Sequence, residues 1–453
     1  MPTIPDGVKR EMRKVMKKVL SLVFVILGMM CALALVSCIP LVDDEIYSEG
    51  LEYTLNDDGK TYAVTGIGTC TDSHVIIPNV INGHKVTEIA TRAFYGCTTM
   101  TEVTIPKSIR NVGTQIFYKA NNLHTVYYNL PYGLLDNSFM NAASIKKVVF
   151  GGDAVPYGVL SDCTNIETVE IKSSVKSIGD HAFKNCTSII NITIPNSVTK
   201  IGWGAFEGCE FLNNIIIPDS VTDIDWEAFK GCTSFTNITI PDSVTSIGAS
   251  AFEKCSSLEN VTLSNSLTSI EESTFQQCTS LKSIIIPDSV TNIEYNAFYY
   301  CTSLENVTIP DSVTNLSGFQ GCISLESINI PNSVTSIGNN AFAYCGLLTS
   351  IVIPDSVTSI GNNAFAHCTS LTSIVIPDSV ISIGDCAFYN CESLTSIVIP
   401  DSVTRIGEKA FYSCTSLTIY CEAESKPSRW DNDWNKLNYY NENAPVVWGY
   451  TGE

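Results

Sequence analysis

One segment of sequence is repeated along most of this chain at a nearly constant spacing. The copy at 368–390 reads CTSLTSIVIPDSVISIGDCAFYN, and its proline recurs mostly every 23 residues. These prolines are Pro195, Pro218, Pro241, Pro287, Pro310, Pro331, Pro354, Pro377 and Pro400. A period of about 20 to 50 residues is typical of repeat proteins in which each copy is one unit of a stack. The spacing therefore predicts a solenoid rather than several globular domains.

Each copy is predicted to contain a short strand and a returning segment. Ile374 and Ile376 are two positions apart, which is typical of a strand with one buried face. Pro377 ends this strand because proline has no N–H to donate to a sheet. The apolar pair Ala387 and Phe388 lies in the segment that returns along the other side of the coil.

A single copy cannot fold alone. It offers about seven apolar side chains, each worth ~1.5–3 kcal/mol when fully buried. Ordering its backbone costs ~1–2 kcal/mol per residue. The copies must therefore stack and bury their apolar faces against one another.

The pattern LxxIxIPxSVxxIGxxAFxxC resembles the BspA-type leucine-rich repeat of bacterial surface proteins. One position repeats along the chain as Phe94, Phe117, Phe139, Leu160, Phe183, Phe206, Phe229, Phe252, Phe275, Phe298, Phe319, Phe342, Phe365, Phe388 and Phe411. This column indicates about fifteen coils. The resemblance implies a leucine-rich repeat horseshoe or arc, with a parallel β-sheet on its concave side.

The N-terminal segment has the features of an export signal. Six Lys and Arg residues precede an apolar run at 19–36. Leu35-Val36-Ser37-Cys38 resembles a bacterial lipobox, which implies cleavage before Cys38 and attachment of lipid to that cysteine. The alternative is an uncleaved signal anchor, because the apolar run is nearly long enough to span a bilayer. Both interpretations place the repeats outside the cytoplasm, at the cell envelope.

The repeat boundaries divide the chain into five predicted parts. These are a signal peptide (1–37), a tether (38–50), an N-terminal cap hairpin (51–74), the leucine-rich repeat solenoid (75–420) and an aromatic C-terminal cap (421–453). The last part contains Trp430, Trp434 and Trp448. We expect them to cover the end of the solenoid, and a ligand platform is the alternative.

The charge of the chain limits its partners. The formal net charge is −20, from 26 Lys and Arg and 46 Asp and Glu residues. Such an acidic chain without a basic patch is not expected to bind nucleic acid. The expected partners are host or bacterial surface proteins and matrix proteins, together with the membrane through the N-terminal lipid. The sequence does not indicate an oligomeric state.

Thirteen of the 18 cysteines occupy one repeat position, which runs from Cys97 to Cys414. The spacing lacks the close pairs of zinc sites. Neighbouring coils bring these cysteines within disulfide distance, but side chains in register point in parallel, which disfavours bridging. Buried thiols are therefore expected, with disulfides as the alternative.

No catalytic group, cofactor or metal ligand is predicted. The five histidines lie at unrelated repeat positions, and none pairs with Ser or Cys in a recurring arrangement. A column of aspartates in the PDS turns offers oxygens for calcium. Aspartate at such positions more commonly bonds its own turn.

The outward strand positions form the predicted contact surface. They are uncharged, and they become small and apolar toward the C-terminus. The candidate residues are Thr308, Asn329, Ser350, Val352, Ser373, Val375, Ser396 and Val398, with Trp203, Trp226 and Tyr295 as candidate aromatic contacts elsewhere.

Together these observations predict a non-enzymatic, lipid-anchored protein of the bacterial surface that binds proteins or polymers. The family resemblance implies an adhesin for host cells, extracellular matrix or other bacteria. A structural scaffold or spacer in the envelope is the alternative, and a polymer-acting hydrolase is a remote one.

Overall fold

The computed structural model describes residues 46–130, 143–440 and 442–452. The predicted signal peptide and the lipid-attachment residue Cys38 lie outside these ranges. Tyr47–Glu453 forms one compact unit. The described part of this unit consists of strands and turns without a helix. Accordingly, no helix among the described residues is long and apolar enough to cross a membrane.

The unit is a parallel β-solenoid of about 16 turns, which confirms the fold class predicted from the repeat. A regular coil has a first strand, a tight turn, a second strand of two residues and a wide turn. Equivalent residues pair in register between neighbouring coils, as Val352 pairs with Val375 and Ser359 with Ser382. Because the coils are nearly identical, each strand finds its partner one repeat away.

Strands are numbered in chain order. The first strands are β3 (His74–Ile76), β6 (Glu102–Ile105), β8 (Thr125–Tyr128), β9 (Lys147–Phe150), β11 (Thr168–Ile171), β13 (Asn191–Thr193), β15 (Asn214–Ile216), β17 (Asn237–Thr239), β19 (Asn260–Thr262), β21 (Ser283–Ile285), β23 (Asn306–Thr308), β26 (Ser350–Val352), β28 (Ser373–Val375), β30 (Ser396–Ile399) and β32 (Thr418–Cys421). The second strands are β5 (His84–Ile89), β7 (Asn111–Val112), β10 (Ala154–Val155), β12 (Ser177–Ile178), β14 (Lys200–Ile201), β16 (Asp223–Ile224), β18 (Ser246–Ile247), β20 (Ser269–Ile270), β22 (Asn292–Ile293), β24 (Asn315–Leu316), β25 (Ser336–Ile337), β27 (Ser359–Ile360), β29 (Ser382–Ile383) and β31 (Arg405–Ile406).

Different strands lie at the two ends of the stack. At the N-terminal end, β1 (Glu52–Leu55) and β2 (Thr61–Gly66) form an antiparallel hairpin, and β2 pairs in parallel with β5. The short strand β4 (Val80–Ile81) pairs antiparallel with β5. At the C-terminal end, β33 (Val446–Trp448) adds to β32 in parallel. The ends are thus built from sequence that departs from the repeat.

The core is a set of columns, one side chain per coil in each column. One coil contributes Leu371, Ile374, Ile376, Val380, Ile383, Ala387, Phe388 and Cys391, all 5 % exposed or less. The phenylalanines from Phe206 to Phe411 stack almost face to face, with ring centroids 5.2–5.8 Å apart and planes within 2–11°. Trp434 continues this column edge-on, 6.0 Å from Phe411. Stacked aromatic rings add to the stabilisation from buried area.

The wide turns are also joined from coil to coil. The N–H groups of Asn363, Phe365 and His367 donate to carbonyls of the next coil at 2.7–2.9 Å. Asn363 and His367 adopt positive φ angles of 54° and 62°, which asparagine tolerates better than most residues. The two turn positions with this backbone conformation recur in nearly every coil. The turns therefore form a third hydrogen-bonded ladder beside the two strand ladders.

One coil is two residues shorter than the others, and the difference lies entirely in its wide turn. Ser317 and Gly318 stand where other coils have four residues between the second strand and the phenylalanine. Gly318 has φ +99°, and a Cβ there would lie 2.7 Å from the Glu294 carbonyl oxygen. The strand β24 nevertheless pairs in register with β22 and β25. The pairing of the second strands thus continues through this coil without a shift in register.

The recurring serine and cysteine each bond a backbone carbonyl of a neighbouring coil. Ser379 Oγ donates to the Val357 carbonyl at 2.7 Å, and Cys368 Sγ donates to the Phe342 carbonyl at 3.2 Å. Eleven column thiols make the second kind of bond. All cysteines of the described chain are free thiols. Burial raises the pKa of Cys368 to about 12.

We expect Phe229→Ala to lower the free energy of unfolding by about 3–5 kcal/mol, because it leaves a cavity in the aromatic stack. Phe229 is fully buried, whereas Phe211 is 59 % exposed and provides the control. Phe211→Ala is expected to cost less than about 0.5 kcal/mol. Urea unfolding followed by circular dichroism measures both. Equal losses for the two variants would contradict the stacked core.

We expect the thiols to react with Ellman's reagent at two very different rates at about pH 8. Thiolates are the reactive form, and burial raises the pKa of column thiols such as Cys209, Cys301 and Cys368, so these remain protonated and covered. Cys386 is half-buried and should react first. Cys386→Ser should remove the fast phase, whereas Cys368→Ser should not. In denaturant, a thiol count near zero would instead indicate disulfides.

Candidate binding surfaces

The first strands present one continuous outward surface, which we call the first-strand face. In β26 and β28 the central residue is buried and the two flanking residues point outward, and β13, β17 and β21 show the same pattern. Val352 and Val375 are 77 % and 73 % exposed and are paired neighbours. Asn329 bridges to Val352, and Ile285 pairs with Thr308. The structure thus brings the predicted contact residues into one column.

The remaining predicted residues of this face lie beside that column. Ser350, Ser373 and Ser396 are exposed and form its neighbouring column. Val398 is only half-buried rather than fully exposed, and it pairs with Tyr420 of the next coil. Its contribution to a contact surface is therefore smaller than that of Val352 or Val375.

The face extends further toward the N-terminus than the predicted residues. Ile216 and Ile285 are 82 % and 72 % exposed and continue the valine column. They share its repeat position, which is the signal that would have identified them. The first charged residue encountered in this direction is Glu170, which pairs with Thr193 and forms an ion pair with Lys147. Between these limits the face offers only aliphatic, hydroxyl and amide groups.

The predicted aromatic contacts lie on the wide turns and not on the first-strand face. Trp203, Trp226 and Tyr295 are 43 %, 62 % and 45 % exposed. The two tryptophans are in adjacent coils, whereas Tyr295 is three coils further along. The structure therefore does not combine all three into one site.

Trp203 is held in place by charged and aromatic neighbours. Its Nε1 donates to Glu227 Oε2 at 3.0 Å, and its ring centroid lies 4.5 Å from that of His181. Burial opposes ionisation of Glu227, but hydrogen bonds from Lys230 and Trp203 outweigh it and lower the pKa of that carboxyl group. Trp203 is thus fixed by the solenoid itself, while part of its ring remains accessible.

A row of tyrosines on the wide turns was not predicted. Tyr344 stacks on His367 at 4.3 Å, His367 lies 5.2 Å from Tyr389, and Tyr389 stacks on Tyr412 at 5.3 Å. Tyr439 then lies 5.5 Å from Tyr412. Apart from Tyr439, these residues occupy the two positions after the phenylalanine column, where the repeat allows any residue, and Tyr412 among them is buried. Only alignment of successive coils identifies them as one surface.

The C-terminal tryptophans contact the protein's own last coils. Trp430 and Trp434 are each 3 % exposed, with ring centroids 4.7 Å apart. Trp430 Nε1 donates to the Val403 carbonyl at 3.0 Å, and Trp448 lies 5.9 Å from Trp430. Such buried rings leave little area for a ligand platform. The boundary of the cap at residue 421 stays a prediction.

The described residues contain no group of three or more His, Cys, Asp or Glu side chains that could hold a metal ion. His181 Nδ1 lies 3.7 Å from Glu207 Oε2, and His74 Nδ1 lies 3.6 Å from Glu102 Oε2. His181 and Glu207 lie on wide turns, whereas His74 and Glu102 lie on first strands.

Comparison with known proteins identifies the repeat. The family model of the BspA type leucine rich repeat region matches in six copies, over residues 69–153, 153–256, 222–347 and 316–418. No match was found among curated proteins.

Several solved structures are similar to this chain. A leucine-rich repeat protein from Bacteroides ovatus is 26 % identical, with 90 % of this chain and 99 % of that chain covered and a TM-score of 0.46. A leucine rich cell surface protein from Faecalibacterium prausnitzii is 31 % identical, with 73 % and 95 % covered and a TM-score of 0.40. A leucine-rich repeat protein from Eubacterium ventriosum is 21 % identical, with 66 % and 94 % covered and a TM-score of 0.38. Because the family model matches well over half of its residues, this chain belongs to the BspA-type leucine-rich repeat family.

Proposed function

We propose that this protein is a non-enzymatic binding protein of the bacterial surface, which attaches to proteins or polymers through its first-strand face. Leucine-rich repeat proteins generally mediate protein–protein interactions. The similar protein from Faecalibacterium prausnitzii is described as a cell surface protein. In our proposal, the predicted export signal and a lipid on Cys38 hold this chain at the envelope.

One observation carries the proposal. Four aliphatic side chains at one repeat position of the first-strand face, Ile216, Ile285, Val352 and Val375, are each more than 70 % exposed, and Val352 and Val375 are paired neighbours. Exposed apolar residues that repeat along one face are typical of a contact surface. The rigid backbone beneath them keeps the ordering cost of binding low.

The repetition of the face favours adhesion over recognition of a single small ligand. Neighbouring coils present nearly the same groups, so an extended partner can make many weak contacts at once. Linked contacts of this kind give an avidity that exceeds the affinity of each one. The proposed partners are therefore extended or multivalent molecules on host cells, in the extracellular matrix or on other bacteria.

We expect the double substitution Val352→Asp with Val375→Asp to reduce attachment at least about tenfold, because two carboxylates would be desolvated in the contact. Beads coated with the full chain are tested on matrix proteins and host cells. Ile381→Asp is the matched control, since Ile381 is a 53 % exposed aliphatic residue at the second strands of the same coils.

Thermal unfolding verifies that the three-dimensional structure of each variant is intact. Unchanged attachment by the Val352 and Val375 variant would exclude this face as the contact. If wild-type beads attach neither to these surfaces nor to intact bacteria but bind bacterial envelope extracts, the scaffold alternative replaces the adhesin.

A further inference from the structure

A second surface of the molecule lies on the wide turns. We call the two residues that follow each position of the phenylalanine column the turn ridge. Near the N-terminus the ridge carries Tyr95, Tyr118 and Lys119. In the C-terminal half it carries Tyr299, Tyr300, Tyr344, His367, Tyr389 and Tyr412. The ridge is therefore aromatic at both ends, on a face that the first strands do not share.

The N-terminal tyrosines already bind cations of this same chain. Their ring centroids are 5.8 Å apart, with planes tilted by 43°. Lys119 Nζ lies 5.6 Å and 5.8 Å from the two centroids, and Arg92 Cζ lies 5.7 Å from that of Tyr95. These distances are within the range of cation–π attraction. These contacts show that tyrosines at the ridge positions can bind cationic side chains.

The C-terminal half of the ridge has no such cations nearby in sequence. No Lys or Arg occurs between Lys282 and Arg405. The same stretch contains the acidic residues Asp288, Glu294, Glu305, Asp311, Glu326, Asp355, Asp378, Asp385, Glu392 and Asp401. Lys409, which lies close to Tyr412, is engaged in an ion pair with Glu408 at 2.5 Å. This half of the chain thus combines aromatic rings on the ridge with an excess of acidic charge, although the aspartates of the PDS turns lie on the tight turns and not on the ridge itself.

One pair of C-terminal rings resembles the N-terminal pair in geometry, whereas Tyr344 with His367 and Tyr389 with Tyr412 stack face to face. His367 and Tyr389 are 5.2 Å apart with planes tilted by 52°, close to the arrangement of Tyr95 and Tyr118. Tyr344 is 43 % exposed. Burial lowers the pKa of His367, against the opposing effect of Glu392, so the imidazole is neutral at neutral pH and does not repel a cation.

From these observations we propose that the turn ridge at Tyr344, His367 and Tyr389 binds arginine and lysine side chains of a cationic partner polypeptide. The rings supply cation–π contacts, and the excess of carboxylates in this half of the chain supplies long-range attraction. Arginine is preferred, because its planar guanidinium stacks on aromatic rings and is more weakly hydrated than an ammonium group. This inference concerns a different face from the proposed function and does not depend on it.

The test uses the full chain and a fluorescent peptide of nine arginines, with the dissociation constant measured by fluorescence anisotropy. The substitution pair Tyr344→Leu and Tyr389→Leu keeps apolar volume and removes the rings. Two exposed cation–π contacts together account for about fivefold or more in affinity. Tyr157→Leu is the matched control, because Tyr157 is a 68 % exposed wide-turn tyrosine outside the ridge segment.

We expect the double variant to bind at least about fivefold more weakly and the control to bind as the wild type does. A peptide of nine citrullines, which is similar in shape but neutral, should not bind. The Val352→Asp and Val375→Asp variant should still bind the arginine peptide, which separates this surface from the first-strand face.

Three results would overturn the proposal. If the double variant binds the arginine peptide as tightly as the wild type, the acidic residues alone attract it and the rings contribute nothing. If the wild type instead binds a neutral polysaccharide in affinity electrophoresis, and the double variant loses that binding, the ridge is a sugar platform. Equal losses in the control variant lead to the same rejection.

Discussion

Every coil of this protein depends on its neighbours for both hydrogen bonds and burial. From β7 onward the second strands are only two residues long, and they pair with second strands in adjacent coils, as β27 pairs with β25 and β29. The thiol of Cys368 bonds a carbonyl of the preceding coil, and Phe365 stacks on Phe342 and Phe388. Stability is therefore a sum of interfaces between coils, with the least supported coils at the two ends.

The repeat allowed the fold class and the core columns to be predicted, because each column follows from one period. The second strands were not predicted. A strand such as Ser382–Ile383 is too short for any periodicity to be visible, and only the adjacent coil makes it a strand. No hydrogen bond was predicted for the recurring serine of the PDS turns either, although Ser379 Oγ donates to the Val357 carbonyl of the preceding coil.

The contact surfaces were predictable only in part, since outward positions are not constrained by the core. Val352 and Val375 were recognised because they alternate with buried isoleucines. Val398 has a similar sequence context, but its exposure is reduced beside Tyr420, which belongs to sequence after the regular repeats. The tyrosines of the turn ridge differ in position from coil to coil, so their proximity depends on how the turns stack.

The short coil at Ser317 and Gly318 indicates how such a molecule tolerates changes of length. Two residues are missing from a wide turn, yet both neighbouring strands keep their register. A whole coil can be inserted or removed in the same way, because each coil packs against a surface that is nearly the same in every coil. Unequal recombination between near-identical repeats in the gene would add or remove complete coils in frame. Each such event would alter the reach of the protein by about 4.8 Å, which provides a genetic means of adjusting how far its ends are separated.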